Sequence, residues 1–300
     1  WDRTTGSGAT VAVIDTGITS HPDLDRNVVP GYDFISDGRA ARDGGGRDSN
    51  PRDEGDWYAA GECGTAGASD SSWHGTHVAG TVAAVADSQG VVGVAPNAKI
   101  QPIRVLGKCG GSLSDIADAV VWAAGGTVAG VPANPNPADV INMSLGGSGT
   151  CGTTYQNAIN AAVSRGVPVV VAAGNENQPA ANVRPANCRN TIVVAASTSQ
   201  GARASFSNYG SAVDVTAPGA NIISTVNNGA TTPTTAGHAA YNGTSMATPH
   251  VAGLAALLLA EQPSLTPAQV ESTLTSTARS MPVTCYAGCG AGLADATRAV

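Results

Sequence analysis

The sequence predicts an α/β fold, a three-layer sandwich in which a central, mostly parallel sheet lies between helices on both faces. Three observations lead to this prediction: short apolar runs typical of buried strands, helical patterns between them, and a composition with 42% apolar residues, 4% aromatic residues and 38 Gly. Such a composition fits a core of small aliphatic side chains with many tight turns. Strands are predicted at residues 11–15, 100–106, 139–144, 167–173 and 191–196, and helices at residues 73–86, 112–124, 153–165 and 244–261.

The chain of 300 residues is predicted to form a single domain, residues 1–300, because no polar linker divides it. The largest irregular segment, residues 36–72, is rich in Asp, Gly, Arg and Ser, and we call it the insertion. A loop of this length is usually functional, stabilised by an ion, or disordered.

Charge and hydropathy exclude two classes of partner. The net charge is −7, and no run of Lys or Arg offers a footprint for nucleic acid. No apolar stretch reaches the roughly 18–20 residues needed to span a bilayer, so no membrane partner is expected. The first residues carry no basic region followed by an apolar one, so we expect no leader segment within this sequence. We expect a monomer.

Asp15 ends the first predicted strand, at the edge where open parallel sheets bind their ligands. An acid held rigidly at this position suits a carboxylate that orients an imidazole. Asp is common at strand ends, however, so this residue alone indicates little.

His74 and His77 lie three residues apart and share one face of a predicted helix. Their spacing raises a metal site as one interpretation, but the glutamate of a His-Glu-x-x-His motif is missing. The preferred interpretation is one catalytic histidine, His74, which opens the helix, and one structural histidine, His77, which packs beneath it.

Ser245 lies where a Gly-led turn enters an apolar helix. Amides at a helix start can bind an anion there and leave the hydroxyl exposed. Taken alone, the residue is more simply interpreted as an N-cap serine. The combination of the three segments, in the order Asp, His, Ser, favours nucleophilic catalysis instead.

Three segments resemble the signature segments of the subtilisin-like serine peptidases: Val-Ile-Asp15-Thr-Gly, His74-Gly-Thr-His-Val-Ala-Gly-Thr and Gly-Thr-Ser245-Met-Ala-Thr-Pro-His-Val-Ala-Gly. The resemblance runs from about the first residue to the C-terminus, interrupted by the insertion. It implies the subtilisin-like fold and a secreted, disulfide-containing serine endopeptidase of bacterial type. Its partners would be extended peptide or protein substrates.

The resemblance also implies a mechanism. His74 would remove the proton of Ser245 as the hydroxyl attacks a peptide carbonyl, and Asp15 would hold the imidazole and stabilise its charged form. The segment Ala-Ala-Gly-Asn175-Glu resembles the family's oxyanion segment. Asn175 and the backbone N–H of Ser245 would then stabilise the tetrahedral intermediate, and water would later release the acyl group.

A substrate groove follows from the same resemblance. An extended peptide would pair with main chain on two walls, and its primary pocket would lie between one wall and the oxyanion segment. Val183 is expected to intrude on this pocket, where a glycine is frequent in relatives. The implied substrate-binding residues are Gly110, Gly111, Ser144, Leu145, Gly146, Ala172, Ala173 and Gly174.

Calcium is the cofactor that the resemblance implies, because residues 85–91 resemble a tight calcium loop with hard oxygen ligands. The chain departs from the family pattern at its start, where a stretch that supplies a further ligand is absent. A second set of acids lies in the insertion, with a solvated acidic loop as the alternative. The first set comprises Asp23, Val85, Asp87, Gln89 and Val91; the second comprises Asp43, Asp48 and Asp53, with Asp37 and Asp56 as weaker members.

The six cysteines lie in polar loops outside any Cys-x-x-Cys pair, which favours disulfides in an oxidising compartment over unpaired core thiols or zinc ligation. The sequence alone cannot choose among the possible pairings. With the groove arranged as the resemblance implies, one bond would tie the insertion to a groove wall. The predicted pairs are Cys63–Cys109, Cys151–Cys188 and Cys285–Cys289.

Two other functions stay open at this stage: a non-catalytic binding module on the same fold, and another acyl transferase such as an esterase or a peptide ligase. Asp15, His74, Asn175 and Ser245 are all residue types that can perform the implied catalysis, which disfavours the binding module. A ligase would need a better nucleophile than Ser, and no Cys lies near position 245, so hydrolysis is favoured.

Overall fold

The computed structural model describes residues 1–300. Its strands are β1 (Thr10–Asp15), β2 (Tyr32–Asp33), β3 (Lys99–Arg104), β4 (Val140–Met143), β5 (Gly147–Ser148), β6 (Val169–Ala172), β7 (Val183–Arg184), β8 (Ile192–Ser197), β9 (Val215–Pro218), β10 (Ile222–Asn227) and β11 (Ala236–Tyr241). Its helices are α1 (Gly38–Ala41), α2 (His74–Ala83), α3 (Leu113–Ala123), α4 (Gly152–Val163), α5 (Thr244–Glu261), α6 (Pro267–Ser276) and α7 (Ala296–Ala299), with two 3-10 turns at Asp25–Asn27 and Ala180–Asn182.

The central sheet has seven strands in the order β2-β3-β1-β4-β6-β8-β9, and every neighbouring pair in it is parallel. Two small antiparallel pairs, β10 with β11 and β5 with β7, lie outside it. The predicted fold class is therefore confirmed. All five predicted strands belong to the central sheet, and β2 and β9 add one strand at each edge.

Alternate residues of the strands serve two separate cores, one on each face of the sheet. In β1, Val11 and Val13 enter the first core, whereas Ala12 and Ile14 enter the second. Successive side chains of a strand point to opposite faces, so a strand covered by helices on both sides must be apolar throughout. Helices α2 and α5 cover the first face, and α3 and α4 cover the second.

The insertion has little regular structure beyond the single turn of α1, and contacts with the rest of the chain hold it in place. Arg104, at the end of β3, is fully buried and donates to the Asp33 carboxylate at 2.6 Å and to the carbonyl oxygen of Ala41 at 2.5 Å. The guanidinium of Arg42 lies 3.9 Å from the ring centroid of Trp57. Ion pairing and stacking thus replace a hydrophobic core in this segment.

Three disulfides are present, in the pairs that we predicted: Cys63–Cys109, Cys151–Cys188 and Cys285–Cys289. The first joins the insertion to the loop before α3, and the second joins the segment before α4 to the segment before β8. No cysteine is left unpaired. None of the helices combines the length and the apolar character that crossing a membrane requires.

Candidate active site

Asp15 and His74 meet because the carboxyl end of β1 abuts the first turn of α2. Gly75 makes this close approach possible, since a Cβ atom there would lie 2.2 Å from the carbonyl oxygen of Gly17. Trp73, immediately before the helix, is buried with a left-handed φ of 50°, and its indole N–H donates to the carbonyl oxygen of Gly229 at 2.7 Å. A backbone strained in this way persists only where its surroundings hold it, and here it directs the side chain of His74.

The carboxylate of Asp15 sets the tautomer of His74. Its Oδ1 lies 2.7 Å from Nδ1 of His74 and also accepts from the N–H of Thr16 at 2.8 Å. A carboxylate can only accept, so Nδ1 carries the proton and Nε2 keeps its lone pair. Oδ2 of Asp15 is buried without a hydrogen-bond partner. Burial, the largest single influence, would lower the pKa of His74. The charge and the hydrogen bond of Asp15, together with the charges of Asp56 and Asp53, outweigh it, and the pKa lies above its ordinary value.

Ser245 lies in the first turn of α5 and is linked reciprocally to the end of β4. Pro249, four residues later, has no N–H to donate to the Ser245 carbonyl, so the helix leaves that oxygen without its usual partner. The hydroxyl of Ser144 donates to it at 2.8 Å, and the hydroxyl of Ser245 donates to the carbonyl oxygen of Ser144 at 3.0 Å. Ser245 does not hydrogen bond to His74 here; such bonds often form only once substrate is bound.

Asn175 follows β6 and is fixed against the start of α5. Its Oδ1 accepts from the N–H and from the hydroxyl of Thr244, at 2.8 Å and 3.0 Å. These contacts identify the oxygen of the side-chain amide, so Nδ2 is the group left free to donate. Gly174, with a φ of 102°, allows the turn, and a Cβ atom there would lie 2.3 Å from Nδ2 of Asn208.

Two adjoining cavities contact these residues. A groove of about 630 Å³ is lined by His74, by Gly110 and Gly111 on one wall, and by Ser144, Leu145 and Gly146 on the other. A smaller pocket of about 60 Å³ is lined by Ala172, Gly174, Asn175, Val183 and Ser245, together with Leu145 and Gly146. Ala173 is buried beneath the pocket and does not line it. Val183 is almost fully buried in the wall of the small pocket.

Supporting residues that the sequence analysis did not assign lie behind Asp15 and His74. The hydroxyl of Thr16 donates to buried Asp53 at 2.6 Å and accepts from the N–H of Gly75 at 2.9 Å. The carboxylate of Asp56 accepts from the N–H and the hydroxyl of Ser72, at 2.6 Å and 2.7 Å. Burial raises the pKa of Asp53 to about 7. Asp53 and Asp56 were candidate calcium ligands. No sequence signal distinguishes calcium binding from hydrogen bonding to Thr16 and Ser72.

Asn208 is a further residue without a sequence signal. Its Nδ2 donates to the carbonyl oxygen of Ala173 at 2.9 Å and to Glu176 at 2.7 Å, and its Oδ1 accepts from the N–H groups of Glu176 and Gln178. One buried amide therefore holds the loop that carries Asn175.

His77 does not line the groove and is fully buried. Its Nε2 lies 3.0 Å and 3.1 Å from the carbonyl oxygens of Ile222 and Ala239, and its ring stacks on Tyr241 with centroids 4.4 Å apart. Burial lowers its pKa to about 4, so it is neutral at physiological pH. This geometry agrees with the structural role that we predicted for His77.

The structure does not bring the three acids of the insertion together. Asp43 accepts from the N–H of Gly45 and lies 3.4 Å from Arg104, Asp48 accepts from the N–H of Asn50, and Asp53 bonds to Thr16. Asp37 caps α1.

The first predicted calcium set meets in part, since the N–H of Val85 donates to the carbonyl oxygen of Asp23 at 2.7 Å. Oδ2 of Asp23 accepts from the N–H of Val91 at 3.0 Å and lies 3.0 Å from Nε2 of His238. Asp87 accepts from the N–H of Gln89. Calcium takes about six to eight oxygen ligands, and the imidazole of His238 beside Asp23 is not of that type. Calcium binding stays a prediction.

A comparison with protein families matches residues 6–292 to the Subtilase family. The chain belongs to the subtilase family. Among characterised subtilases, it is 65% identical to "Extracellular protease" of Xanthomonas campestris pv. campestris and 49% identical to "Extracellular basic protease" of Dichelobacter nodosus. Both comparisons cover 100% of this chain but 52% of the relative, so the chain spans about half the length of these subtilases.

One solved structure and one further relative compared by sequence agree. A protease from Pseudoalteromonas arctica superposes with a TM-score of 0.98 at 58% identity, over 100% of this chain and 91% of that one. "Subtilisin Savinase" of Lederbergia lenta is 41% identical over 97% of this chain and 91% of its own length. The predicted family resemblance is thus confirmed.

Proposed function

We propose that this subtilase is a secreted serine endopeptidase that hydrolyses peptide bonds through an acyl-enzyme on Ser245. The observation that carries the proposal is the 2.7 Å contact between Asp15 and Nδ1 of His74. His74 lines a groove that Ser144 also lines, and the smaller pocket that Ser245 lines adjoins this groove. Three disulfides, which pair all six cysteines, and the extracellular proteases among the relatives support secretion.

The proton transfers follow from the tautomer. With Nδ1 bonded to Asp15, the free lone pair of Nε2 accepts the Ser245 proton as the hydroxyl leaves the Ser144 carbonyl and attacks the substrate. The resulting imidazolium lies beside a buried carboxylate, which favours its formation. His74 then donates that proton to the leaving amine, and water repeats the sequence to release the acyl group.

Charge on the tetrahedral oxygen would be stabilised by two donors. Asn175 offers Nδ2, because its oxygen is held by Thr244, and the backbone N–H of Ser245 lies in the first turn of α5, where helical amides have no intrahelical partner. Donors fixed in advance stabilise developing charge without reorganisation.

Peptides or proteins in extended conformation fit the groove. Its walls, at Gly110 and Gly111 and at Ser144 to Gly146, carry little side-chain bulk, which suits main-chain pairing with a peptide. The pocket of about 60 Å³ beside Ser245 favours a small side chain at the residue before the cleaved bond.

The decisive experiment replaces the nucleophile. Ser245→Ala should lower kcat on a peptide amide by about 10⁶-fold, the size of loss known for the nucleophile of subtilisin. Ser164→Ala, an exposed serine at the end of α4, is the matched control and should retain full activity. Proteolysis by a folded Ser245→Ala protein at the parent rate would refute the proposal.

A further inference from the structure

His21, Asp23 and His238 form a cluster outside the groove. One ligand atom from each residue lies within 4.8 Å of the ligand atoms of the other two. The two imidazole rings meet edge to face with centroids 4.9 Å apart, and Nε2 of His238 lies 3.0 Å from Oδ2 of Asp23. We propose that these three side chains bind a zinc ion, or a similar divalent transition metal, with water as the fourth ligand.

The separations suit a tetrahedral ion after a small contraction. Zinc bonds of about 2.0–2.1 Å at tetrahedral angles hold their ligand atoms roughly 3.3 Å apart. The pair formed by Asp23 and His238 already meets this separation. His21 is the remaining ligand, and its ligand atom lies within 4.8 Å of those of Asp23 and His238.

Hydrogen bonding prepares His21 to bind metal. Its Nε2 lies 2.9 Å from the carbonyl oxygen of Gly237, which can only accept, so Nε2 carries the proton and Nδ1 carries the lone pair. A bond from the distal ring nitrogen to a carbonyl is the usual outer-shell support of a zinc-bound histidine. Nδ1 accepts from the N–H of Asp23 at 3.1 Å, and the metal would replace this contact as well as the one between His238 and Asp23.

The donor set selects the type of metal. Two imidazole nitrogens and one carboxylate suit zinc and its neighbours, whereas calcium takes oxygen ligands. Asp23 was predicted as a calcium ligand, but the presence of His238 at its carboxylate changes the preference. The side chain of His238 is 35% exposed, so the ion can enter from solvent and keep a water ligand.

The site would connect three parts of the chain. His21 and Asp23 lie between β1 and the first 3-10 turn, His238 lies in β11, and Oδ2 of Asp23 also accepts from the N–H of Val91. The neighbouring carbonyl of Ala239 contacts His77 of α2, so the hairpin supports that helix. Zinc would therefore stabilise the folded chain, since an ion that binds only the folded state adds to its stability.

The test is calorimetric titration of the chelator-treated chain, with Ser245→Ala in the background to prevent autolysis. We expect one zinc ion per chain, a rise in melting temperature on adding zinc, and a visible spectrum typical of tetrahedral coordination when cobalt(II) replaces zinc. His238→Ala should weaken zinc binding by at least about 10–100-fold, the cost known for losing even an outer-shell partner. It should also abolish the zinc-dependent rise in melting temperature.

Asp87→Asn is the matched control, because Asp87 lies in the same loop region but outside the cluster, and zinc binding should be unchanged in it. Absence of zinc binding, or binding that is equal in the parent and His238→Ala, overturns the proposal; equal binding would point to His74 and Asp15 as ligands instead. Calcium binding that is lost in His238→Ala while zinc fails to bind would also overturn it.

Discussion

Asn175 shows how the orientation of one side-chain amide decides its chemistry. Thr244 supplies two donors, its N–H and its hydroxyl, and both face Oδ1 of Asn175. The amide cannot turn around without placing its own N–H groups against these donors. The geometry therefore leaves Nδ2 to stabilise an anion, which the sequence motif alone could only suggest.

We predict that Asn175→Leu lowers kcat by about 10²–10³-fold, the loss known for the oxyanion asparagine of subtilisin, with little change in KM. Leucine keeps the volume but cannot donate to the oxyanion. Steady-state kinetics on a peptide amide measure the effect. Asn97→Leu, at an exposed position far along the chain from the pocket, serves as control, and an equal loss in both variants would contradict the assignment.

Val183 limits the pocket beside Ser245. Its side chain is buried in the wall, and a Cβ atom at Gly146 would lie 3.3 Å from its Cγ1. We predict that Val183→Gly raises kcat/KM for substrates with Phe or Tyr before the cleaved bond relative to substrates with Ala there. The ratio of the two kcat/KM values should change by about 10-fold or more. A small change in side-chain size in a hydrophobic pocket alters transition-state binding by about 1–3 kcal/mol. Profiling with a peptide library checks this, and an unchanged preference would mean that another wall sets the limit.

At the scale of elements, the insertion supports the groove. It carries Asp53 to Thr16 and Asp56 to Ser72, and the disulfide Cys63–Cys109 fixes it to the wall that Gly110 and Gly111 form. Its acids thus lie close enough to act on His74, whose pKa is raised by Asp15 first and then by Asp56 and Asp53.

We predict that Asp56→Asn moves the acid limb of the pH profile of kcat/KM to lower pH. His74 must be neutral to accept the Ser245 proton, and a nearby negative charge favours its protonated form, which raises its pKa. Removing that charge lowers the pKa, so the active form persists in more acidic solution. Asp48→Asn, whose carboxylate accepts from the N–H of Asn50, removes a charge elsewhere in the insertion and should leave the profile in place. A shift to higher pH in Asp56→Asn would contradict the sign.

At the scale of the whole molecule, α5 connects Ser245 to the first core. It packs against β1, β4, β6, β8 and β9 as well as α2, and its apolar side chains, such as Leu258, are buried along its length. The residue that carries the proposed chemistry is therefore held by the largest helix of the fold.

We predict that Leu258→Ala lowers the free energy of unfolding by about 2–5 kcal/mol, since it leaves a cavity in a packed core. The kcat of the folded fraction should stay unchanged because the first turn of α5 is far from residue 258 along the helix. Urea unfolding in the Ser245→Ala background gives the stability. Val283→Ala, at a half-exposed valine, should cost little, and an equal cost in both would indicate that the core tolerates the cavity.

The central sheet was predictable from the sequence because its strands are buried on both faces and therefore apolar throughout. β2, with only Tyr32 and Asp33, is too short to show a pattern, and β9 ends in Pro218 after three buried residues. The strand β11, with the sequence Ala-Gly-His-Ala-Ala-Tyr, alternates exposed and half-buried residues and gives no apolar signal. Edge and hairpin strands therefore escaped sequence analysis.

Some site residues were likewise predictable from the sequence and others were not. Asp15, His74, Asn175 and Ser245 lie in segments whose motifs identify them. Asn208 and Thr16 act through contacts between segments distant in sequence, and His238 lies next to Asp23 only because the hairpin folds back. Such contacts exist only in the folded chain.

The link between the end of β1, the start of α2 and the start of α5 also bears on how the chain avoids damage during its own synthesis. Asp15, His74 and Ser245 are supplied by elements spread over most of the sequence, and the parallel sheet must close before their ends meet. No partial fragment that lacks α5 contains the complete set of groups. Under the proposed mechanism, a nascent or misfolded copy is therefore a potential substrate that lacks the complete set, and peptide-cleaving activity should appear only in the last stage of folding.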